Sequence, residues 1–533
     1  MFRSYVSLQA PQAPLKLADR DGALTTLPEL ISSSVPELNE GASFWTHPLL
    51  PSGHLQTAYT AVNKFETVDK VHYKRRVLQM KNLRYRVGED FLNYDQWGGK
   101  STFTIDYAVP ESMSDPDHEK FRPESQTKTL PPRTEYLDPE AEFDLLADDS
   151  KPLIVCLHGL SGGSYESYIR AFVSRVTEYN FDAVVLNARG CANHTITTPQ
   201  LFNGLWTNDL RYLINEHISQ IWPNKRIYLI GFSLGGAITA NYLGQEFDQV
   251  YHNIKGAATV GTPWDFPDSS IHLRESLLGH HVYSPAMCQN LLKLLNEHYE
   301  GHLKSDPTIE EFKKNPAAYS VNRLRDFDDA FTSRLFGLNG ANEYYRLASP
   351  VQRLHKVRVP LIILSSKDDP ITGYRTLPHD EVKQNPYTLL ITTTVGGHLG
   401  WFTLTGKRWY ADPMAKLMKQ LDEHSWTKES VPQTDLPRDI SKHSVMDFKW
   451  IKQVRALPSH HSHNDVLKTD YIDVNLKNSR KLIHNLNDVA ESLNSKPTDL
   501  SPERKIASEL LPLHQVKEEL SWVRKSEEVR RSE

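Results

Sequence analysis

Three short stretches of the 533-residue chain carry side chains whose types and order could form and break an acyl bond. The first, LIGFSLGGAIT (Leu229–Thr239), sets Ser233 in the frame Gly231-Phe232-Ser233-Leu234-Gly235, between an apolar run and residues with helical patterning. A serine at the turn from a buried strand into a helix is lifted clear of the sheet, provided that glycines two positions away leave room for so sharp a bend. The helix then aims its amino end at the same spot, where negative charge develops as the hydroxyl attacks a carbonyl. A serine hydroxyl is a poor nucleophile until a base takes its proton, so the frame demands a carboxylate and a histidine further on, in that order. KDDPIT supplies Asp368 and Asp369, and VGGHLGW supplies His398, each directly after an apolar run. Asp369 is the expected acid because it directly precedes the turn that Pro370 imposes, leaving Asp368 to cap that turn. His398 follows two glycines, which give its loop the freedom to bend the imidazole back over Ser233.

The oxyanion needs two backbone N–H donors. Leu234, after the serine, is one candidate, and Leu160, in the loop HGLSGG (158–163), is the other. A glycine-rich loop ahead of a helix could instead cradle phosphate. No G-x-x-x-x-G-K-[ST] frame supports that, since GGKST at Gly98–Thr102 has Tyr94 where the first glycine belongs. His460, His461, His463 and Asp465 lie in polar text flanked by proline and serine with no second ligand pair, so they read as a solvated loop and not as a metal site.

These residues need a scaffold that brings distant loops to one edge. From Pro152 onward apolar strands (PLIVCLHG, DAVVLNARG, RIYLIGFS, IKGAATVG) alternate with amphipathic helices (ESYIRAFVSRVTEYN, NDLRYLINEHISQI, AITANYLGQE). That alternation predicts an α/β fold with a mostly parallel sheet covered on both faces. Functional loops leave such a sheet at the carboxyl ends of its strands, which is where Ser233, Asp369 and His398 fall. The expected organisation is an N-terminal segment over 1–70 packing on the core, and a body over 71–430. Within the body, 110–151, rich in proline and charge, reads as an exposed, mobile insertion, and 265–350 as a helical cap. A polar extension over 431–533 follows, with two apolar helical stripes, Leu482, Leu486, Val489, Leu493 and Val516, Leu520, Val523, that suit docking on the body or a partner.

Composition narrows the function classes. Hydrophobic residues make up 39%, enough for a large core, and 61 basic against 66 acidic residues leave a net charge of -5, so no global field would attract nucleic acid. Three scattered cysteines, Cys156, Cys191 and Cys288, fit free thiols in a reducing compartment. No run of about 18 apolar residues and no leader-like apolar core occurs, so the expectation is a cytoplasmic protein.

In the order SGHLQTAY (Ser52–Tyr59), HGLSGGSYESYIR (His158–Arg170), NARGCANHTITTPQLFNG (Asn187–Gly204), GFSLGG, KDDPI and GGHLGW, the chain resembles the α/β-hydrolase fold and, more narrowly, AB-hydrolase family 4, over about residues 25 to 425. TLPELISSSVPELNEGA, NPYTLL and GKRWYADP look most like a fungal subgroup of monoacylglycerol lipases and medium-chain fatty-acid ethyl ester synthases/esterases. The resemblance implies acyl transfer from a glycerol or alcohol ester through a serine acyl-enzyme, with no metal or organic cofactor, and its triad positions match Ser233, Asp369 and His398. Three readings follow: a lipid-ester hydrolase, an alcohol O-acyltransferase using acyl-CoA, or a scaffold that keeps the fold without the chemistry. A lipid substrate implies peripheral contact with lipid droplets or the endoplasmic reticulum, although no anchor is visible. His54 in SGHLQT reads either as an anchor for the N-terminal segment or as a group near the pocket. Arg189 in NARG reads as structural, with a head-group contact as the alternative, and the cap's apolar side chains either sheath an acyl chain or form the cap's own core.

Overall fold

A computed structural model describes residues 3–63, 65–80, 100–115, 117–427 and 430–431. Its strands, in chain order, are β1 (Arg3–Gln9), β2 (Lys16–Ala18), β3 (Leu24–Thr26), β4 (Ser43–Trp45), β5 (His72–Gln79), β6 (Thr102–Val109), β7 (Thr134–Tyr136), β8 (Leu153–Leu157), β9 (Asp182–Asn187), β10 (Ile227–Phe232), β11 (Ile254–Val260), β12 (Leu361–Ser366) and β13 (Thr388–Thr393). Eleven of them form one sheet in the order β4-β1-β13-β12-β11-β10-β8-β9-β6-β5-β7, while β2 and β3 pair separately. The six strands from β13 to β9 are mutually parallel. Antiparallel β6 and β1 flank them on the two sides.

Period-two alternation explains why this sheet needs helices on both faces. Ile154, Cys156, Tyr228, Ile230, Ile362 and Leu364 face one core, beneath the helices Ser167–Glu178 and Ala411–Asp422. The intervening Leu153, Val155, Leu157, Leu229, Leu361 and Ile363 face the other, beneath the helix Leu234–Glu246 and the helical stretch 208–221. All three cysteines are free and buried. Among the described residues no helix is long and apolar enough to cross a membrane.

Two regions depart from the plain alternation. Most described residues of 110–151 are exposed, but the stretch is anchored: Thr134–Tyr136 is buried and pairs in parallel with β5. Gln126 exchanges two hydrogen bonds with the backbone of Thr195, and buried Glu142 accepts from Arg76 Nε and the Tyr107 hydroxyl. A three-residue strand is too short to show a period, and its place in the sheet is decided by tertiary partners. Between β11 and β12, residues 266–348 form a helical layer with its own apolar cluster, including Cys288, Leu291, Leu295, Ile309, Phe312, Phe327 and Phe331.

At the β5–β6–β9 side a buried ion pair ties the sheet to the loop after β8. Arg75 donates to both Asp106 oxygens (2.7 and 2.8 Å), and Ser164 and Asn187 donate to the same carboxylate. Burial alone would raise the Asp106 carboxyl, but the Arg75 charge and these hydrogen bonds hold it below the usual range. A folded-state value below the unfolded one means that the group's stabilisation is present above the unfolded value and is lost as pH falls through the folded one. Asp106→Ala would leave Arg75 charged and unpaired inside the protein, so it is expected to lower unfolding free energy by about 3–5 kcal/mol. Urea denaturation would show this, and a loss below about 1 kcal/mol would refute it.

Candidate active site

Strand β10 ends in the turn that exposes Ser233. Its φ of 52° and ψ of -119° lie where side chains rarely go, at a cost of about 1–3 kcal/mol that the packed surroundings must offset. Those surroundings admit nothing larger than glycine at position 235, where a Cβ would sit 2.3 Å from the Leu157 carbonyl oxygen. The helix Leu234–Glu246 begins at the next residue and points its amino end toward the hydroxyl.

The loops after β12 and β13 deliver the other two groups. His398 Nε2 is 2.9 Å from Ser233 Oγ, and its Nδ1 is 2.8 Å from Asp369 Oδ2. With Nδ1–H donating to the carboxylate, Nε2 is left to accept the serine proton. Burial pushes the Asp369 carboxyl up, but the adjacent His398, the hydrogen bond to it and the amides of Thr372 and Ile371 bring it below its ordinary value. The neighbouring Asp368 turns the other way, and its Oδ1 accepts from the amides of Gly396 and Gly397, both at 2.9 Å, and from Ser366 Oγ at 2.7 Å. One aspartate meets the imidazole and the other holds the loop that carries it.

A second support comes from the far end of the sequence. Thr57, in the helix Gly53–Val62, accepts from the His398 amide at 2.8 Å and donates to the Gly53 carbonyl at 2.7 Å. The helix packs so closely on the acid loop that a Cβ on Gly53 would lie 2.0 Å from the Asp368 carbonyl oxygen. Gly53→Ala is therefore expected to push the helix off both loops. Melting temperature should fall by several degrees and kcat by at least about tenfold. Calorimetry with steady-state kinetics measures both, and unchanged values would overturn the supporting role.

On the opposite side, the loop after β8 is held by His158. Its Nε2 accepts from the Ala188 amide at 3.0 Å, so Nδ1 carries the proton and donates to the Gly159 carbonyl at 2.7 Å. Burial lowers the imidazole to about 4, against that hydrogen bond and Asp106, which raise it, and so keeps it neutral. The Gly159 amide donates to the Tyr168 hydroxyl. Among the described residues the amides of Leu160 and Leu234 donate to no protein acceptor, so both are available to an oxyanion.

Two cavities meet at Ser233, and both are also lined by Leu160, Met287 and Ile371. The narrower, about 260 Å³, runs under the helical layer past Leu234, Pro263, Phe266, Leu273, Tyr344 and Tyr345. The wider, about 470 Å³, alone includes His398 and carries Ser161, Glu166, Asn193, Asn290 and Lys293. The surface of the narrower cavity is mainly apolar, although Arg274, His280, Arg323, Arg325, Asp326 and Asp328 also line it, and the wider one mixes polar with apolar groups.

Ser233, Asp369, His398, Leu160 and Leu234 are brought together as the sequence order requires. Arg189 is a buried structural group, with three guanidinium contacts to Asp209 and one to Gln200. His54 does two things at once: it belongs to the helix that supports His398, and its Nδ1 lies 2.9 Å from the hydroxyl of Tyr283, a cap residue on the wider cavity. The histidine cluster at 460–463 with Asp465, and both helical stripes of the tail, lie outside the described residues. Gly53, Thr57 and Asp368's grip on the glycines are not legible from local sequence, because only their contacts define them; SGHLQTAY is the one signal in the sequence that points there.

A strand-to-helix serine, a returning histidine and a mostly parallel sheet define the α/β-hydrolase class. The family model for the α/β-hydrolase fold matches residues 152–398. The chain is 38% identical to a monoacylglycerol lipase of Saccharomyces cerevisiae over 78% of this chain and 90% of that protein. It is 31% identical to medium-chain fatty acid ethyl ester synthase/esterase 2 of the same yeast, over 74% and 89%, and 31% identical to human phospholipase ABHD3 over 47% and 59%. The chain belongs to the α/β-hydrolase family, in the branch that these two yeast proteins represent, and is an ester hydrolase.

Proposed function

We propose that this chain hydrolyses monoacylglycerols, with Ser233 as nucleophile, His398 as general base and acid, and Asp369 orienting the imidazole. The observation that carries this reading is the continuous hydrogen-bonded line from Ser233 Oγ through His398 to Asp369, at 2.9 and 2.8 Å. The Ser233 hydroxyl gives its proton to His398 Nε2 as Oγ bonds to the ester carbonyl carbon. The carbonyl oxygen becomes an oxyanion held by the amides of Leu160 and Leu234. As the C–O bond to glycerol breaks, His398 returns the proton to the departing oxygen and leaves an acyl-serine. Water then repeats the sequence: His398 takes one of its protons, the hydroxyl oxygen bonds to the acyl carbon, and Ser233 leaves with the proton from His398.

The two cavities give this chemistry its directions. The leaving oxygen must lie beside His398, which lines only the wider cavity, so the alcohol half occupies that side and the acyl chain takes the mainly apolar one. The name of the second yeast relative supports a second reading, synthesis of fatty acid ethyl esters by acyl transfer to ethanol. The polar groups of the wider cavity favour water and polyols as acceptors. Product release from labelled monoacylglycerol, run beside labelled medium-chain acyl-CoA with ethanol and repeated with Ser233→Ala, separates the two. Serine-dependent glycerol-ester cleavage is the expected result, and serine-dependent ethyl ester formation without it would move the assignment to transfer.

A further inference from the structure

The proposed reaction gives no role to the charged groups of the wider cavity, Glu166, Lys293 and Glu297, and the last two pair with each other at 3.9 Å. Glu166 stands at the amino end of the helix Ser167–Glu178, yet its side chain does not cap that helix. Its stem packs over Gly162 in the oxyanion loop, with Cγ 3.0 Å from where a Cβ would sit. Among the described residues its carboxylate makes no hydrogen bond and no ion pair. The nearby cations are engaged elsewhere: Arg170 donates to the carbonyls of Phe65, Val68, Asp69 and Tyr165, and Arg408 donates to the Leu399 carbonyl and Ser167 Oγ. A carboxylate partly withdrawn from water and left without a donor is a costly arrangement, and it gains most from a ligand that donates hydrogen bonds. Of the two carboxylates that line the cavity with His398, Glu297 already accepts from Lys128 Nζ, and Glu166 is left to accept a charge-assisted hydrogen bond.

We infer that Glu166 is the recognition residue for the free hydroxyls of the alcohol half, accepting hydrogen bonds from a vicinal polyol such as glycerol while the ester oxygen faces His398. This inference rests on the reading of the site as an ester hydrolase and names the class of alcohol that it prefers. An ionised carboxylate accepts only, which suits a polyol that presents several O–H donors. Burial raises the Glu166 carboxyl to about 7, with Arg408 and Arg170 pulling the other way, so at neutral pH it is divided between its neutral and ionised forms, and bound hydroxyl donors favour the ionised one. Tyr165 and Tyr168 on its own segment also feel its charge, and Lys293 and Glu297 line the same cavity.

Two esters with one acyl chain isolate the alcohol half. Kinetics of the full chain on monodecanoylglycerol and on ethyl decanoate would be compared for the native protein, Glu166→Gln and Glu166→Asp. Glu166→Gln should raise KM for the glycerol ester about tenfold or more with kcat little changed, and leave ethyl decanoate within about twofold. Glu166→Asp should recover part of the loss. The ethyl ester also reports that each variant is folded. Equal losses on both esters would assign Glu166 to loop structure, and no loss on either would remove it from recognition, so each overturns the inference. A native chain that cleaves ethyl decanoate but not monodecanoylglycerol overturns this inference and the monoacylglycerol reading together. A native chain that cleaves both, with an unchanged ratio in Glu166→Gln, overturns this inference alone.

Discussion

Ser233→Ala should lower kcat for ester hydrolysis by roughly ten thousandfold or more, with melting temperature held within about a degree. The loss is large because no other group can form the acyl bond: the hydroxyl is 2.9 Å from His398 Nε2 and sits where both cavities meet. Stability should hold because, among the described residues, the serine side chain reaches no other hydrogen-bond partner, and alanine keeps the same backbone at φ 52°. Binding and the two oxyanion donors survive, so a small residual rate above that of water is expected. Active-site titration with a fluorophosphonate probe gives the stoichiometry directly. One label per native chain and none on the variant is the expected pattern. A variant that keeps more than a few per cent of native turnover would put the nucleophile elsewhere.

Adjacent aspartates offer the second large effect, because they have different jobs within one loop. Asp369→Asn keeps the shape but presents an amide to His398 Nδ1, which stabilises the wrong tautomer and withdraws support from the imidazolium. About a ten-thousandfold loss in kcat is expected, with stability close to native. Asp368→Asn should behave in the opposite way. It weakens the hold on two amides and one hydroxyl, so thermal stability should fall by several degrees while kcat drops by only about ten- to a hundredfold. Stopped-flow kinetics and calorimetry on the pair would separate the roles. The reverse ranking of kcat losses would exchange the two assignments.

The groups proposed to carry the chemistry are legible because each follows an apolar run that can only be a buried strand. Ser233 follows β10, Asp369 follows β12 and His398 follows β13 by a few residues, so order along the chain translates into position along one sheet edge. The fold class follows from the same alternation. Less legible is everything fixed by partners far away in sequence. Nothing local marks Thr134–Tyr136 as an edge strand within proline-rich text, and nothing local requires glycine at position 53; both follow from a contact across the fold. Glu166 in YES looks like any helix-start acid, and only the absence of a cap hydrogen bond and the cavity beside it set it apart. Composition suggests an exposed insertion over 110–151, and most of its described residues are exposed, but it does not foretell that Glu142 and Gln126 are buried with partners inside the protein.

The antiparallel pairing of β1 with β13 has a consequence in time. During synthesis Arg3–Gln9 emerges long before its neighbour in the sheet: the Tyr5 amide bonds to Thr394, 389 residues later. At about 5–20 residues per second, that strand waits roughly 20–80 s for its partner. The helix Gly53–Val62 waits almost as long for the His398 loop that it supports. A nascent chain can therefore assemble its central strands around Ser233 while His398, the proposed base, is still unmade. Hydrolytic competence arrives as a late event, coupled to the moment when the two ends of the domain close on each other.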